Sequence, residues 1–445
     1  MSDKPDGGDE TRPEQPLGGT RPVSDDGGQS GRRPWTVRHK VLAGVGLLVV
    51  ASVVAATVSL AAHSPQPRRG AGSSGGSSTT LGAGGTNAGV SSSTSPPGST
   101  TGGSTGPNQP TPTTKPPTTS PGGLPPVTHP TLGVDLYSAV AMSKAAVLSH
   151  GARIIAAAKQ QLGINSIGIV WALSMPNNKS DSIGEGPDSL SLADIVALTK
   201  LAEQQGLSVQ YRPLIRVGKA QNWAGVVLPT DPAAWFQNFF NAELPFLRAA
   251  VRYHVHDFVI ESELVRMNDN PGWAKYIKRV EKNAPGVNIS YAASEGNYFP
   301  GHNKVRQLLP TQTYGMDAYM PMPASIPSSA SVAQLESGWD AYFASVPNGI
   351  LNLTTMEEVG IAGVDGAYQH PSNWNLVGQA NPAVQANWFT AACHTVAQFK
   401  MRGIYFYNIN LGNNPPYWPS SPVVFMGKPA VVAALRGCAT MFGES

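Results

Sequence analysis

The sequence predicts a (β/α)8 barrel over residues 131–445, carried behind a low-complexity N-terminal region. Three observations predict it. Eight short β-prone runs recur between residues 132 and 412, helical patterns separate most of them, and acidic and aromatic residues gather where the runs end. In a barrel of this kind, strand ends and the loops that follow them carry the chemistry. A doubly wound open sheet is the structural alternative, but no GxGxxG follows the first strand.

The elements run as follows. LGVDLY (132–137) is the first strand, and SIGIVWAL (166–173) follows a helical pattern ending IIAAAKQQLGI. LSVQYRPLIRV (207–217) is the third, after the helix SLADIVALTKLAEQQG, where Ser191 suits an N-cap and Gly206 a C-terminal stop. HDFVIESEL (256–264), VNISYAAS (287–294), TYGMDAYMPM (313–322), GILNLTTMEEVG (349–360) and GIYFYNINLG (403–412) complete the set, and a helix near Pro429 to Met441 closes the chain.

The preceding residues cannot join this core. Residues 1–40 are rich in Gly, Pro, Asp and Arg with almost no large apolar side chains, so they are expected to be a disordered tail. VLAGVGLLVVASVVAATVSLAA (41–62) is uncharged and long enough for one membrane-spanning helix. Arg32, Arg33, Arg38 and Lys40 before it favour a cytoplasmic N-terminus, placing the barrel outside the membrane. A cleaved signal peptide is the rival reading, though its apolar part would be shorter. Residues 63–130 are nearly all Ser, Thr, Gly and Pro, a linker whose flexible span would be roughly 45 Å.

Composition excludes several function classes. A formal charge of +3 in 445 residues gives no argument for nucleic acid. The two cysteines, Cys393 and Cys438, show no metal-binding spacing, and no cofactor is expected. They fall in the last two predicted helices, neighbours in a barrel, where a disulfide and two buried thiols are both open.

Two acidic strand ends stand out. The fourth strand ends in Glu261 and Glu263, which by alternation both face the barrel axis or both face away. Glu263 would stand higher in the mouth, and Glu261, one layer deeper, would need Arg212 or Arg216 as its partner. The seventh strand ends in adjacent Glu357 and Glu358, of which alternation admits only one to the barrel. Two carboxylates across a barrel mouth suit retaining glycoside hydrolysis: one protonates the leaving oxygen while the other attacks the anomeric carbon.

These residues resemble the retaining glycosidase barrels, and within them glycoside hydrolase family 113, whose characterised members are β-mannanases. IESEL is similar to the family's strand-four IGTEL, which implies an acid/base role for Glu263. MEEVGI is similar to its TEVGY, which implies a nucleophile role for Glu358. RPLI (212–215), YAAS (291–294) and DAYMP (317–321) are similar to its KPHI, YAAN and DAYFP. The resemblance implies that Tyr319 bonds the nucleophile and adds Arg212 and Tyr291 to the substrate-binding set. It covers most of 131–412. Leu214, Ser294 and Glu261 depart from it, and Tyr407 and Ile409 stand where the family has tryptophans in its last strand.

Aromatic faces stack on sugars, so Trp171, Trp223, Trp374, Tyr298 and Tyr407 are candidate subsite walls, with core packing the alternative for Trp171 on its strand. His254 and His256, at the start of strand four, are expected to be structural, while His302 and His370 lie in loops. The expectation is an anchored, extracytoplasmic retaining glycoside hydrolase with a monomeric catalytic domain, acting on a mannan-like or cell-envelope polysaccharide. A degenerate glycan-binding barrel and a wall-remodelling transglycosylase are the alternatives.

Overall fold

The computed structural model describes residues 127–444 except 139, 187, 220–221, 298–304, 306–307, 310–312, 347–348 and 413–420. The expected tail at 1–40, span at 41–62 and nearly all of the linker lie outside the described residues, as do Tyr298 and His302. Among the described residues, no helix is long and apolar enough to cross a membrane.

Nine strands form one sheet: β1 (Thr131–Tyr137), β2 (Ser166–Met175), β3 (Gly184–Glu185), β4 (Ser208–Val217), β5 (Asp257–Ser262), β6 (Asn288–Ser294), β7 (Tyr314–Asp317), β8 (Thr354–Val359) and β9 (Gly403–Asn410). Their order is β1-β9-β8-β7-β6-β5-β4-β2-β3, and β1 also pairs with β2. Eight parallel strands therefore close into a TIM barrel, with the two-residue β3 antiparallel on β2 outside the ring. Six of the eight expected strands lie within two residues of their predicted bounds at each end. The other two are shorter: β7 stops at Asp317, and a 3-10 turn at Leu351–Leu353 precedes β8.

The described helices are α1 (Lys144–Leu162), α2 (Leu192–Gln204), α3 (Pro232–Arg252), α4 (Gly272–Asn283), α5 (Val332–Phe343), α6 (Pro382–Gln398) and α7 (Pro429–Met441). Their ends follow local chemistry. Ser191 caps α2 as expected, with its hydroxyl on the Asp194 N–H and the Asp194 carboxylate returning to the Ser191 N–H. Gly163 ends α1 at φ 71°, a left-handed conformation that glycine adopts without strain. Cys393 and Cys438 form a disulfide that ties α6 to α7.

Two layers make the core. Between strands and helices, Trp171 of β2 stacks on Phe246 of α3 at 4.6 Å and meets Tyr211 and Phe258 edge-on. Inside the ring the filling is partly polar. Gln210, Ser290 and Glu357 come from the third, fifth and seventh barrel strands, and the first two both donate to the Glu357 carboxylate. Side chains of alternate strands share a layer in such barrels, which is why these three meet.

Candidate active site

A cavity of about 510 Å³ opens at the C-terminal ends of the strands. Its wall includes Glu263, Glu358, Tyr319, Trp374, Tyr407, Trp223, Arg216 and Glu295. Both carboxylates singled out in the sequence face this one space, and backbone irregularities bring them there.

On β5 the period-two pattern breaks. The β5–β6 register shifts between Val259 and Ser262, and Glu263 lies past the strand at φ 57°. Its N–H still donates to the Ala292 carbonyl at 2.8 Å, so the turn is anchored while the side chain swings into the cavity. Glu261 behaves differently. β4 and β5 pair only at Gln210–Asp257 and Tyr211–Phe258, and the Glu261 carboxylate fills the gap above, accepting from Ile215 N–H at 3.1 Å and Ser262 N–H at 2.6 Å. The expected pairing of Glu261 with Arg212 or Arg216 is thus corrected: backbone amides are its bonded partners, because the ladder leaves them free. Burial pushes its pKa up to about 8.

On β8 a bulge admits both acids. Met316 pairs with Met356, but Asp317 pairs with Glu358, so Glu357 is the extra residue. The expectation that only one of the two could enter the barrel fails at this bulge. Glu357 points into the ring, accepting from Gln210 Nε2 at 2.8 Å and Ser290 Oγ at 3.3 Å. Glu358 points into the cavity, where Tyr319 Oη donates to its Oε2 and Arg212 Nη2 lies on its Oε1, each at 2.7 Å.

Arg212 is the centre of a buried charge network. Besides Glu358 it meets Asp317 at 2.7 Å and Asp135 at 3.7 Å, and it donates to Ser262 Oγ and the Glu357 carbonyl. It is fully buried and is not among the cavity-lining residues, so it holds Glu358 from beneath. One guanidinium among three acids leaves excess negative charge in a dry place. Burial first, then Glu358 and other acids, pushes Asp135 and Asp317 well above the usual carboxylate range, against the pull of Arg212.

Among the described residues, Glu263 has no cation within ion-pair distance. Burial first, then the charges of Glu358 and Glu295, push it up to about 8, and a hydrogen bond from Trp223 Nε1 at 2.5 Å pulls the other way. A carboxyl that stays protonated near neutrality, beside another clamped by a guanidinium and a phenol, is the division of labour that acid and nucleophile require.

The aromatic wall is continuous. Tyr319 meets Trp374 edge-on at 5.7 Å, and Trp374 leans on Tyr407 at 6.0 Å. Gly360, two residues past Glu358, leaves room for this wall: a Cβ there would lie 2.3 Å from the Trp374 ring. Three candidates of the substrate-binding set are corrected, the first being Arg212, which lies beneath Glu358 and off the cavity wall. Trp171 is buried in the strand–helix layer, because residues alternate across β2 and its face belongs to α3. Tyr291 is also buried, facing Trp273, and its Oη lies between Asn268 and the Leu264 N–H. His370 is exposed and is not among the lining residues.

Some cavity residues escaped the sequence reading. Glu295, which burial pushes up to about 7, follows the fifth barrel strand, and its position after a strand end was the available signal. That Trp223 grips the acid, rather than only offering a ring, depends on loop geometry that no spacing reveals. Among the described residues, no group of His, Cys, Asp and Glu is arranged to hold a metal.

The family model for glycoside hydrolase family 113 matches residues 153–410. A β-1,4-mannanase of that family, solved as a complex, is 14% identical with a TM-score of 0.59, the match covering 70% of this chain and 99% of that one. The β-mannanase of Alicyclobacillus acidocaldarius is 17% identical with a TM-score of 0.59, over 70% of this chain and 98% of that one. At such identities the likeness speaks for the fold. A comparison with the curated proteins finds no significant match.

Proposed function

The chain belongs to glycoside hydrolase family 113 and is a glycoside hydrolase, and from that premise we propose that it cleaves a β-linked, mannan-like polysaccharide with retention. The observation that carries this reading is Glu263, with its raised pKa, facing the same cavity as Glu358 on its Arg212–Tyr319 clamp. In the first step Glu263 gives its proton to the glycosidic oxygen while Glu358 attacks the anomeric carbon, forming a glycosyl ester and releasing the leaving sugar. In the second, Glu263 takes a proton from water, the water attacks the same carbon, and Glu358 leaves as a carboxylate. Arg212 and Tyr319 keep Glu358 oriented and its charge compensated. The aromatic wall of Tyr319, Trp374 and Tyr407 offers apolar faces to the sugar.

We also propose that 41–62 anchors the chain and that the linker at 63–130 holds the barrel off the membrane on its outer side, within reach of envelope glycans. The test uses the full-length protein beside Glu263→Gln and Glu358→Ala, on soluble β-mannans and extracted wall polysaccharides, with released sugars read by mass spectrometry. Products made by the parent and lost in both variants support the two-carboxylate reading. Products that persist in Glu358→Ala would sink it. Extraction by carbonate without detergent would refute the anchor.

A further inference from the structure

Arg216, near the end of β4, lines the cavity beside Glu358 and Tyr407. Its guanidinium lies over the Tyr137 ring at 5.5 Å, and its Nη2 donates to Tyr137 Oη at 3.3 Å. Among the described residues, the ion pairs made by arginine are all those of Arg212, and no carboxylate lies within 4.0 Å of Arg216. The nearest obvious counter-ion is committed elsewhere, since Glu358 is held by Arg212 and Tyr319. A half-buried guanidinium bonded to one phenol, with the Glu358 charge acting on it only from beyond ion-pair distance, keeps N–H groups that a ligand can complete. Its planar fork of N–H groups matches an oxyanion in two-point contact.

The position within the cavity says which part of a substrate it would meet. Tyr137 ends β1, and Tyr407 lies on β9, four strands around the ring from β5. Arg216 comes from β4, next to β5 in the ring, but its head group is drawn onto Tyr137 at the end of β1, three strands around from β5, and so away from Glu263. The leaving oxygen must sit at Glu263, so the sugar portion at Arg216 belongs to the glycone. The remaining charged side chains of the wall are Glu263, Glu295 and Glu358. Burial holds Glu263 and Glu295 at about 8 and 7, so below neutrality they leave the field of Arg216 largely uncancelled. A single cation among acids suits one negative charge, not the two of a phosphate monoester.

We propose that Arg216 receives a single-charge oxyanion on the glycone sugar of the substrate, a uronic-acid carboxylate or a sulfate ester. The assignment rests on the cavity being the hydrolytic site and narrows its substrate to an acidic glycan.

The test is calorimetric binding to the full-length Glu263→Gln protein, which separates recognition from cleavage. The probes are β-1,4-linked mannose oligosaccharides, β-1,4-linked mannuronate oligosaccharides of equal length, which differ only at C6, and 6-O-sulfated mannose oligosaccharides. One of the anionic probes is expected to bind at least about tenfold tighter than the neutral one, as a charge-assisted fork contact provides. The tighter of the two identifies the group. Adding Arg216→Gln should bring the ratio close to one. Equal or tighter binding of the neutral probe overturns the proposal, whether or not the Arg216 variant folds, and so does a preference that survives Arg216→Gln. Turnover by the unmutated protein is scored separately. Cleavage of neutral mannan without anion preference removes the Arg216 role alone, whereas anion binding with no cleavage of any probe removes the hydrolytic reading and leaves the anion site standing.

Discussion

Replacing Trp223 with phenylalanine is expected to move the alkaline limb of the activity profile to higher pH. The indole N–H donates to Glu263 Oε2 at 2.5 Å. Such a bond stabilises the carboxylate more than the carboxylic acid, so it works against the burial and the Glu358 charge that hold Glu263 at about 8. Phenylalanine keeps a ring over Gly225 but has no donor. A hydrogen bond to a charged group is worth about 1.5–3 kcal/mol. At roughly 1.4 kcal/mol per tenfold change, the limb should move from near 8 to about 9–10. The sign follows from the proposed mechanism: there Glu263 must be protonated to act, so a weaker acid remains competent to higher pH, at some loss of proton-donating power at the plateau. The assay is kcat/KM against pH for the full-length protein on a soluble oligosaccharide. A second perturbation checks the first without touching the indole's chemistry. A Cβ on Gly225 would lie 2.3–2.5 Å from three atoms of the Trp223 ring, so Gly225→Ala must push the indole aside and shift the limb in the same direction. An unchanged limb in both variants, or a move toward acid, would refute the claim that Trp223 tunes Glu263.

Three further outcomes are expected. Tyr319→Phe removes the 2.7 Å donor to Glu358 and should lower kcat by roughly 10- to 100-fold with the fold intact, measured beside thermal unfolding. Burial raises Glu261 and Glu263 to about 8 and Glu357 to about 7, against an ordinary glutamate near 4.3, so the folded state keeps these protons longer than the unfolded chain. Their contribution to stability is complete below about pH 4 and is lost as pH rises through 7–8, so the urea midpoint should fall between pH 5 and 8.5; a rise attributable to these groups would contradict the burial. Reducing Cys393–Cys438, 45 residues apart, should cost about 4 kcal/mol in the chain-entropy account and lower Tm by about 6 °C, read by calorimetry with and without reductant.

The ring of eight strands was legible because each strand is a short apolar run fenced by helix patterns with readable caps, Ser191 before α2 among them. Sequence spacing also placed Glu263 and Glu358 at strand ends, and family resemblance attached roles to them. The errors came where local periodicity stopped being local. A strand's alternation holds only while its ladder is regular, and both acidic strands break register at the acids themselves. Trp171 looked like a sugar-facing aromatic because a strand sequence does not say which of its two faces meets a helix, and resemblance added Tyr291, which packs on Trp273 instead.

The sequence by itself determined the barrel architecture and the presence of two carboxylates at the fourth and seventh barrel strands. These follow from composition, period and capping, which are properties of neighbouring residues. Tertiary structure alone decided that Glu357 enters the barrel beside Glu358, that Arg212 from β4 serves acids on β1, β7 and β8, that Trp223 grips Glu263, and that Arg216 is left facing the cavity without a carboxylate. Each depends on residues 40 to 147 positions apart meeting across a closed ring, and on which charges the burial leaves uncompensated.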